Sequence, residues 1–402
     1  MDLNSGLKKR RLMSEDNDND SNNNWEQKRR NQASKYGNGM AWFRGCLIGK
    51  GCFGSVYLAT LKKPKSKYSS YPPIMAVKSA EVSVSSSIQK EREVLNNIRG
   101  CRNVIRCFGD EITDGENGQM VYNLLLEYGS GGTLADLIKK SDGLPELDVK
   151  RYTRSILRGL RHIHRCGYVH CDLKPENILL VASGGSGGDQ YTAKIGDLGL
   201  AKRAKQNKKG KLIVPYWRGT PMYFSPEVVI DGVQEAPSDI WAVGCIVLEM
   251  LTANPPWGPK GDTNSDEIIT RIGELNESPL IVSTLSSEAK SFLKGCFSRK
   301  SMYRLTAEML LAHPFLEGID EDNVEDDDDN TNNNNVEDTG DVFDINAISS
   351  LIMSEGEDDE GISFSLFSDD LCSWSEEEDV TSAASAPLNE VHHQYPITFT
   401  VV

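Results

Sequence analysis

The sequence lacks an apolar run long enough to cross a bilayer. A membrane-spanning helix needs about 18 or more apolar residues. The best stretch, 241–251, is shorter and contains Glu249. Residues 1–4 also lack the apolar core of a signal peptide. We therefore expect a protein that neither spans a membrane nor enters the secretory pathway.

Paired cysteine spacing is also absent. The nine cysteines are an odd number and show none of the separated ligand pairs that structural zinc requires. One cluster of possible metal ligands occurs within 162–171, on a helical pattern and its exit loop, where packing is the commoner role. Its members are His162, His164, Cys166, His170 and Cys171. We expect reduced thiols, as in the cytosol or nucleus, and no zinc site.

Lysine and arginine are missing from residues 317–402, which contain 25 Asp and Glu. The preceding 316 residues carry 44 basic and 34 acidic side chains, so the net charge of −15 combines a basic part with an acidic tail. Stretches such as 16–24 and 320–341 are polar almost throughout and cannot bury enough apolar surface to fold alone. The predicted organisation is a disordered tail with basic clusters over 1–41, one folded domain over 42–316 and a disordered acidic regulatory tail over 317–402.

The folded segment begins with strand patterns and continues with helix patterns. Apolar or alternating runs separated by Gly, Pro and Ser predict strands, and apolar residues spaced by three or four predict helices. The strand patterns cover 42–48, 55–60 and 74–79, and the helix patterns cover 88–98, 134–138, 152–163 and 240–251. This order predicts an α+β protein with a small β-rich lobe and a larger helical lobe.

A glycine-rich loop lies between the first two strand patterns. Residues 49–56 read GKGCFGSV, and glycines let the backbone approach phosphates closely. A dinucleotide-binding loop would instead open a helix, whereas 55–59 has a strand pattern. The context therefore disfavours a Rossmann fold.

Four phosphate-handling motifs follow one another in a fixed order. They are residues 49–56, Lys78, 170–177 (HCDLKPEN) and 197–199 (DLG). Each is weak alone, but their order and spacing over about 150 residues are hard to meet by chance. Together they resemble the protein kinases, and the KPE triplet is the form found in serine/threonine kinases. The resemblance implies a bilobal protein kinase fold, with helix C in the β-rich N-lobe and a helical C-lobe.

The resemblance also implies ATP and Mg²⁺ as cofactors and assigns catalytic roles. Asp172 would orient the acceptor hydroxyl, and Lys174 would lie near the transferred phosphoryl group. Asn177 and Asp197 would bind magnesium.

Lys78 would hold the α- and β-phosphates, although a lone lysine at a strand end is usually solvated. Its implied partner is Glu91 on helix C, with Glu93 as the rival. The hinge would bond adenine through backbone groups of Glu127 and Gly129. The implied nucleotide-binding residues are Ile48, Gly49, Gly51, Gly54, Val56, Ala76, Lys78, Glu127 and Gly129.

The resemblance continues downstream. Residues 219–221 (GTP) and 225–227 (SPE) look like the substrate-positioning loop and the end of the activation segment. Residues 238–241 resemble the start of the buried central helix, and Arg304 resembles the partner of Glu227. In the residues of these motifs, the sequence most resembles the plant mitogen-activated protein kinase kinase kinases of the MEKK-like subfamily. That similarity implies that the substrate is a MAP kinase kinase, phosphorylated on its activation loop in stress or hormone signalling.

Two departures from the kinase pattern concern regulation. Cys171 stands where many kinases have an arginine that binds an activation-segment phosphate, and Leu198 replaces the usual Phe. From Asp197 to Gly219 there is no Ser or Thr; only Tyr216 could accept phosphate before Thr220. We expect an activity that does not need serine/threonine phosphorylation of this segment.

The same segment is strongly basic. A solvated face is the simple interpretation, and docking of the acidic tail on these residues is the alternative. The basic residues are Lys202, Arg203, Lys205, Lys208, Lys209, Lys211 and Arg218.

The two tails carry further patterns. In 345–374, apolar and acidic residues mix as in partner-binding linear motifs, with plain disorder as the alternative. Basic clusters at 8–11 and 28–30 resemble a bipartite nuclear import signal and predict residence in nucleus and cytoplasm. A strongly acidic chain without an aromatic stacking platform disfavours nucleic-acid binding.

Two other functions stay open at this point. The chain could be a serine/threonine kinase outside the MAP kinase cascade, or a pseudokinase scaffold that binds partners through its tails. Retention of Lys78, Asp172 and Asp197 argues against the scaffold.

Overall fold

The computed structural model describes residues 36–62, 71–115, 118–183, 191–204, 217–258 and 264–319. Within these ranges the strands are β1 Trp42–Gly51, β2 Gly54–Leu61, β3 Ile74–Glu81, β4 Cys107–Asp114, β5 Met120–Leu126, β6 Tyr168–Val169, β7 Ile178–Ala182, β8 Tyr191–Ile195 and β9 Lys202–Arg203. The helices are α1 Ser86–Asn97, α2 Leu134–Lys139, α3 Glu146–Arg165, α4 Pro226–Asp231, α5 Ala236–Thr252, α6 Ser265–Gly273, α7 Ser287–Cys296 and α8 Ala307–Leu311. In this part of the chain, no helix is both long and apolar enough to span a membrane.

Several predictions fall on residues outside these ranges. They are both tails apart from 36–41 and 317–319, and the part of the basic segment that contains Lys205, Lys208, Lys209, Lys211 and Tyr216.

An antiparallel five-stranded sheet forms the N-lobe, in the order β1-β2-β3-β5-β4. The three predicted strands are present. The sequence analysis missed β4 and β5, whose pairing places polar Asn123 inside the sheet. The Asn123 amide donates to the Thr113 hydroxyl at 2.9 Å, and its oxygen accepts from Ser79 at 2.7 Å. A buried amide satisfied in this way does not produce a regular apolar alternation.

Residues before the predicted boundary at Trp42 also contact this sheet. The Gly37 amide donates to the Asp114 carbonyl at 3.2 Å, and Tyr36 pairs with Gly115. The Arg44 guanidinium stacks on the Tyr57 ring at 4.8 Å. Burial lowers the pKa of Arg44 to about 10, while the Tyr57 and Tyr36 hydroxyls favour its charged form.

Helix α1, the predicted helix C, packs against the sheet by burying Ile88, Glu91, Val94 and Leu95. These positions recur at intervals of three, three and one, as expected for one helical face. Of these four, Glu91 alone is charged, so the helix carries a carboxylate into the space between the lobes.

The C-lobe is helical and is built around α5. Thirteen of the seventeen residues of α5 are buried, from Ser238 to Met250, because the helix is apolar on every side. Helix α3 packs beside it with a single apolar face that includes Ile156 and Leu160. A continuous core joins both lobes. Because α3 packs beside α5, the loop between β6 and β7 that follows α3 lies on the first turn of α5.

Candidate active site

Asp239 holds the loop that carries residues 170–177. It lies in the first turn of α5, and its carboxylate accepts hydrogen bonds from the backbone N–H groups of His170 at 2.8 Å and Cys171 at 3.0 Å. A third contact joins it to the His164 ring at 2.9 Å. Burial favours the neutral acid, but these contacts keep the pKa of Asp239 below its usual value. A charged, fully bonded carboxylate thus fixes Cys171 in a left-handed conformation with φ of 71°.

Four side chains at the other end of the loop form one hydrogen-bonded group. The Thr220 hydroxyl donates to Asp172 at 2.8 Å and accepts from the Lys174 ammonium at 2.9 Å. The same ammonium lies 3.2 Å from the second oxygen of Asp172. The Asn177 amide donates to the Asp172 carbonyl at 2.8 Å. Asp172 therefore already accepts a hydrogen bond from an aliphatic hydroxyl, the group it is predicted to orient.

Lys78 connects Asp197, which lies near the loop of residues 170–177, to helix α1. Its ammonium lies 2.7 Å from the Glu91 carboxylate and 2.8 Å from Asp197. Burial favours neutral lysine, yet the two carboxylates outweigh it and raise the pKa of Lys78 above its usual value. The same ion pair, acting against burial, keeps the pKa of Asp197 below its usual range. Lys78 is a fixed cation whose partner on helix α1 is Glu91. The rival, Glu93, is exposed.

The glycine loop connects β1 and β2 as predicted. Gly51 pairs with Gly54 at its tip, and Gly49 pairs with Val56 at its base. Gly54 has φ of 149°, and a Cβ there would lie 2.6 Å from the Ser79 carbonyl oxygen, so a side chain is excluded. Ile48 is 43% exposed beside the loop. The loop can therefore present backbone N–H groups without obstruction.

The predicted hinge follows β5. Ala76 on β3 pairs with Leu126, the last residue before the hinge. The Glu127 amide donates to the Arg106 carbonyl at 2.9 Å, and its carboxylate binds the Lys194 ammonium at 2.8 Å. Gly129 accepts from the Gly132 amide at 3.1 Å. These contacts fix the backbone between the lobes at the place where adenine is expected.

Asn177 and Asp197 are the predicted magnesium ligands. The Asn177 side-chain nitrogen donates to the Asp172 carbonyl, which leaves the side-chain oxygen of Asn177 available. Asp197 adopts a left-handed conformation with φ of 52°. Across the described ranges, no group of three or more His, Cys, Asp or Glu could hold a metal ion by itself. Two oxygen donors suit Mg²⁺, which keeps several waters and binds substrate phosphates. The donor set therefore fits magnesium delivered with a nucleotide.

The histidines and cysteines considered for zinc have other contacts. The His162 ring lies 3.1 Å from the Ile98 carbonyl oxygen, and the His170 ring lies 3.0 Å from the Gly196 carbonyl oxygen. Cys171 is buried, and that burial raises the pKa of its thiol.

The end of the activation segment is anchored by the predicted ion pair. The Arg304 guanidinium binds Glu227 through two contacts, at 2.6 Å and 2.9 Å. Arg304 also donates to the Pro237 carbonyl at 2.7 Å and lies over the Trp241 ring at 5.3 Å. This pair ties the segment that carries Thr220 to the buried helix α5.

The sequence analysis missed the active-site contacts of two residues. Thr220 was assigned to a substrate-positioning loop, without its contact to Asp172 and Lys174. Asp239 was assigned to the central helix, without its support of the catalytic loop. A carboxylate in the first turn of an otherwise apolar helix was the available signal for Asp239, since such a buried charge needs partners.

Comparison with known proteins agrees with this geometry. The family model described as the protein kinase domain matches residues 43–316. Mitogen-activated protein kinase kinase kinase 20 of Arabidopsis thaliana is 42% identical over 280 residues, which cover 69% of this chain and 78% of that protein. Kinase kinase kinases 17 and 18 of the same species are 39% and 38% identical, and the matches cover 70% and 78% of their lengths. The chain therefore belongs to the protein kinase family, and within it to the serine/threonine kinases of the mitogen-activated protein kinase kinase kinase type.

Proposed function

We propose that this kinase transfers the γ-phosphoryl group of ATP to a serine or threonine in the activation loop of a MAP kinase kinase. The observation that carries the chemistry is the hydroxyl of Thr220 bonded between Asp172 and Lys174. An acceptor hydroxyl would meet the same carboxylate and the same ammonium. The choice of a MAP kinase kinase as the substrate is supported by the names of the relatives, which are mitogen-activated protein kinase kinase kinases.

The roles of the side chains follow from their contacts. Asp172 holds the acceptor hydroxyl and takes up its proton, and Lys174 offsets negative charge that develops during transfer. Lys78, kept charged by Glu91 and Asp197, contacts the nucleotide phosphates. Magnesium, when bound, would neutralise phosphate oxygens, and the oxygens of Asn177 and Asp197 would hold it.

We further propose that activity needs no phosphorylation of a serine or threonine in the activation segment. The Thr220 hydroxyl already bonds two catalytic side chains, so a phosphate there would place negative charge beside Asp172. The intervening stretch to Asp197 offers no other serine or threonine.

The substrate experiment uses the full chain made in bacteria, without an upstream kinase. Incubated with labelled ATP, magnesium and a panel of MAP kinase kinases, it is expected to label a serine or threonine in the activation loop of at least one of them. The Lys78→Met variant is the control and is expected to label none. Phosphorylation of other proteins alone would indicate a kinase outside the cascade, and no labelling by the unaltered chain would indicate a scaffold.

Glu91→Gln is expected to lower kcat/KM about tenfold to a hundredfold, because a hydrogen bond to a charged group contributes about 1.5–3 kcal/mol. Glutamine keeps the shape of the side chain but leaves Lys78 with one carboxylate. The matched control is Glu93→Gln, an exposed position on the same helix, which is expected to leave kcat/KM unchanged. Equal effects of the two substitutions would contradict the assigned ion pair.

The nuclear and cytoplasmic residence predicted from the basic clusters at 8–11 and 28–30 remains a proposal. Imaging of the tagged chain tests it, and exclusion of the tagged chain from the nucleus would contradict it.

A further inference from the structure

Three basic residues from different elements, Lys202, Arg218 and Lys90, lie near enough to Cys171 to interact with it electrostatically. Lys202 lies on β9, where it pairs with Val169, two residues before Cys171. Arg218 lies in the activation segment, two residues before Thr220. The Gln234 side-chain amide donates to the Arg218 carbonyl at 2.8 Å and to the Cys171 carbonyl at 3.1 Å. These contacts place the backbone of Lys202 and of Arg218 next to the catalytic loop.

The third cation, Lys90, lies on α1 in the N-lobe and interacts electrostatically with Arg218 and Cys171. The next residue, Glu91, accepts from the Leu198 amide at 3.3 Å. One turn earlier, the Ser87 hydroxyl lies so close to Gly199 that a Cβ there would be 2.6 Å away. Helix α1 therefore contacts the start of the activation segment. We call Lys90, Lys202 and Arg218 the cation cluster.

The cation cluster has too few negative partners. Lys202 binds Glu235 at 2.6 Å. Within the described ranges, the Lys90 ammonium forms no hydrogen bond or ion pair, and the Arg218 guanidinium makes one long bond, 3.4 Å, to the Leu200 carbonyl. Burial and the charge of Arg218 both lower the pKa of Lys90, and they outweigh the opposite effect of the nearby Glu93 carboxylate. The Cys171 thiol offers no compensating charge, because burial raises its pKa.

Half-buried like charges with too few counter-ions cost free energy, and a bound anion would relieve that cost. The anion would also bridge α1, which carries Glu91, to the C-lobe. A phosphoserine or phosphothreonine within residues 197–219 cannot be the source, since that stretch contains neither serine nor threonine.

The nearest acidic run of the chain begins where the described domain ends. Residues 320–329 contain eight Asp or Glu and no basic residue. Ile319 is held to α3 by a bond from Arg154 to its carbonyl, at 3.4 Å. From Arg154, α3 runs about 17 Å to its end at Arg165. Just beyond, the Gly167 carbonyl accepts from Ala204, next to β9, at 2.9 Å.

Ten residues extend to about 33 Å, so the run can reach the cation cluster. Tethering gives the run an effective concentration of about millimolar order.

We propose that the cation cluster binds the acidic run 320–329 of the same chain and that this contact holds α1 in its active position. The contact acts as a built-in substitute for activation-segment phosphorylation. The inference rests on the kinase activity of the chain and not on the identity of its protein substrate.

The test compares full-length variants. In the first, the eight acids of 320–329 are changed to Asn or Gln. The matched control changes eight distal acids, Glu357–Glu360 and Glu376–Asp379, to Asn or Gln. The third variant, called the cluster variant, carries Lys90→Gln and Arg218→Gln. The fourth, called the combined variant, carries these two substitutions together with the eight changes in 320–329. Activity is measured as kcat/KM for a serine peptide without charged residues, so that failure of the MAP kinase kinase assignment does not affect the result.

At 50 mM salt the first variant is expected to lose about fivefold or more in kcat/KM, within the usual range of couplings between sites. The loss should shrink at 500 mM salt, since screening weakens the contact in the parent chain. The distal control is expected to match the parent chain. The cluster variant should lose a similar factor, and the combined variant no more.

Three results would each overturn the proposal: equal activity of the first variant and the parent, equal losses in the first variant and the distal control, or additive losses in the combined variant. A rise in activity on neutralising 320–329 would show an inhibitory tail and would also overturn it. Because the first variant changes only residues outside the described domain, its result does not depend on the folding of the Lys90 and Arg218 variants.

Discussion

Asp172→Asn is expected to lower kcat for phosphate transfer about 10²- to 10⁴-fold, the usual contribution of a positioned general base. Asparagine has nearly the same shape and can still accept the hydrogen bond from Thr220. It cannot take up the proton of the acceptor hydroxyl, and it leaves the Lys174 ammonium without its carboxylate partner. The KM for ATP should change little, because the phosphates are assigned to Lys78 and the glycine loop.

The measurement is steady-state kinetics on the purified full chain, with the unfolding midpoint as a check on folding. Asp142→Asn, at an exposed position, is the matched control and is expected to retain parent activity. A loss in kcat of less than about tenfold for Asp172→Asn would contradict the assignment of the general base.

Arg304→Met is expected to lower the free energy of unfolding by about 3–5 kcal/mol, because it leaves Glu227 charged and buried without its partner. The Arg304 side chain is fully inaccessible, and that of Glu227 is 9% exposed. The methionine also loses the bond to the Pro237 carbonyl. Denaturant unfolding, followed by the fluorescence of the tryptophans, measures the change.

Arg165→Met provides the matched comparison, since Arg165 forms an exposed ion pair with Glu308 at 2.9 Å. Exposed pairs contribute less than about 1 kcal/mol, so the midpoint should hardly move. The double variant Arg304→Met with Glu227→Met should recover part of the lost stability, because it removes the unpaired charge as well. Equal shifts for Arg304→Met and Arg165→Met would show that burial of the pair has no energetic importance.

Much of the catalytic site could be predicted because kinase motifs are local. The glycine loop, Lys78 and the loop containing Asp172 each combine a short pattern with a strand or loop context. The resemblance to the kinases indicated Glu91 rather than Glu93 as the partner of Lys78, but a local pattern without that resemblance could not make the choice. Two residues two positions apart on a helix point about 200° away from each other, so only one can face the lysine, and that choice depends on how the helix packs.

Other features could not be predicted because their cause is long-range. Strands β4 and β5 were missed because the buried Asn123 interrupts the apolar pattern of β5. Its burial is possible only because Asn123 bonds partners on β3 and β4. The contact of Thr220 with Asp172 joins residues 48 positions apart. Lys202 and Arg218 were noticed as basic residues, but Lys90 comes from the other lobe, and no sequence pattern connects it to them.

The sequence by itself determined the class of protein, the α+β order of its lobes and most of the candidate catalytic side chains, because motif spacing and apolar periodicity are properties of neighbouring residues. Only the tertiary structure decided how the Glu91 carboxylate is brought to Lys78, how Asp239 supports the catalytic loop, and that three basic residues lie near Cys171. Those outcomes depend on burial and on distances between segments far apart in the chain. A desolvated charge needs a partner, and a linear pattern carries no information about which residue that partner is.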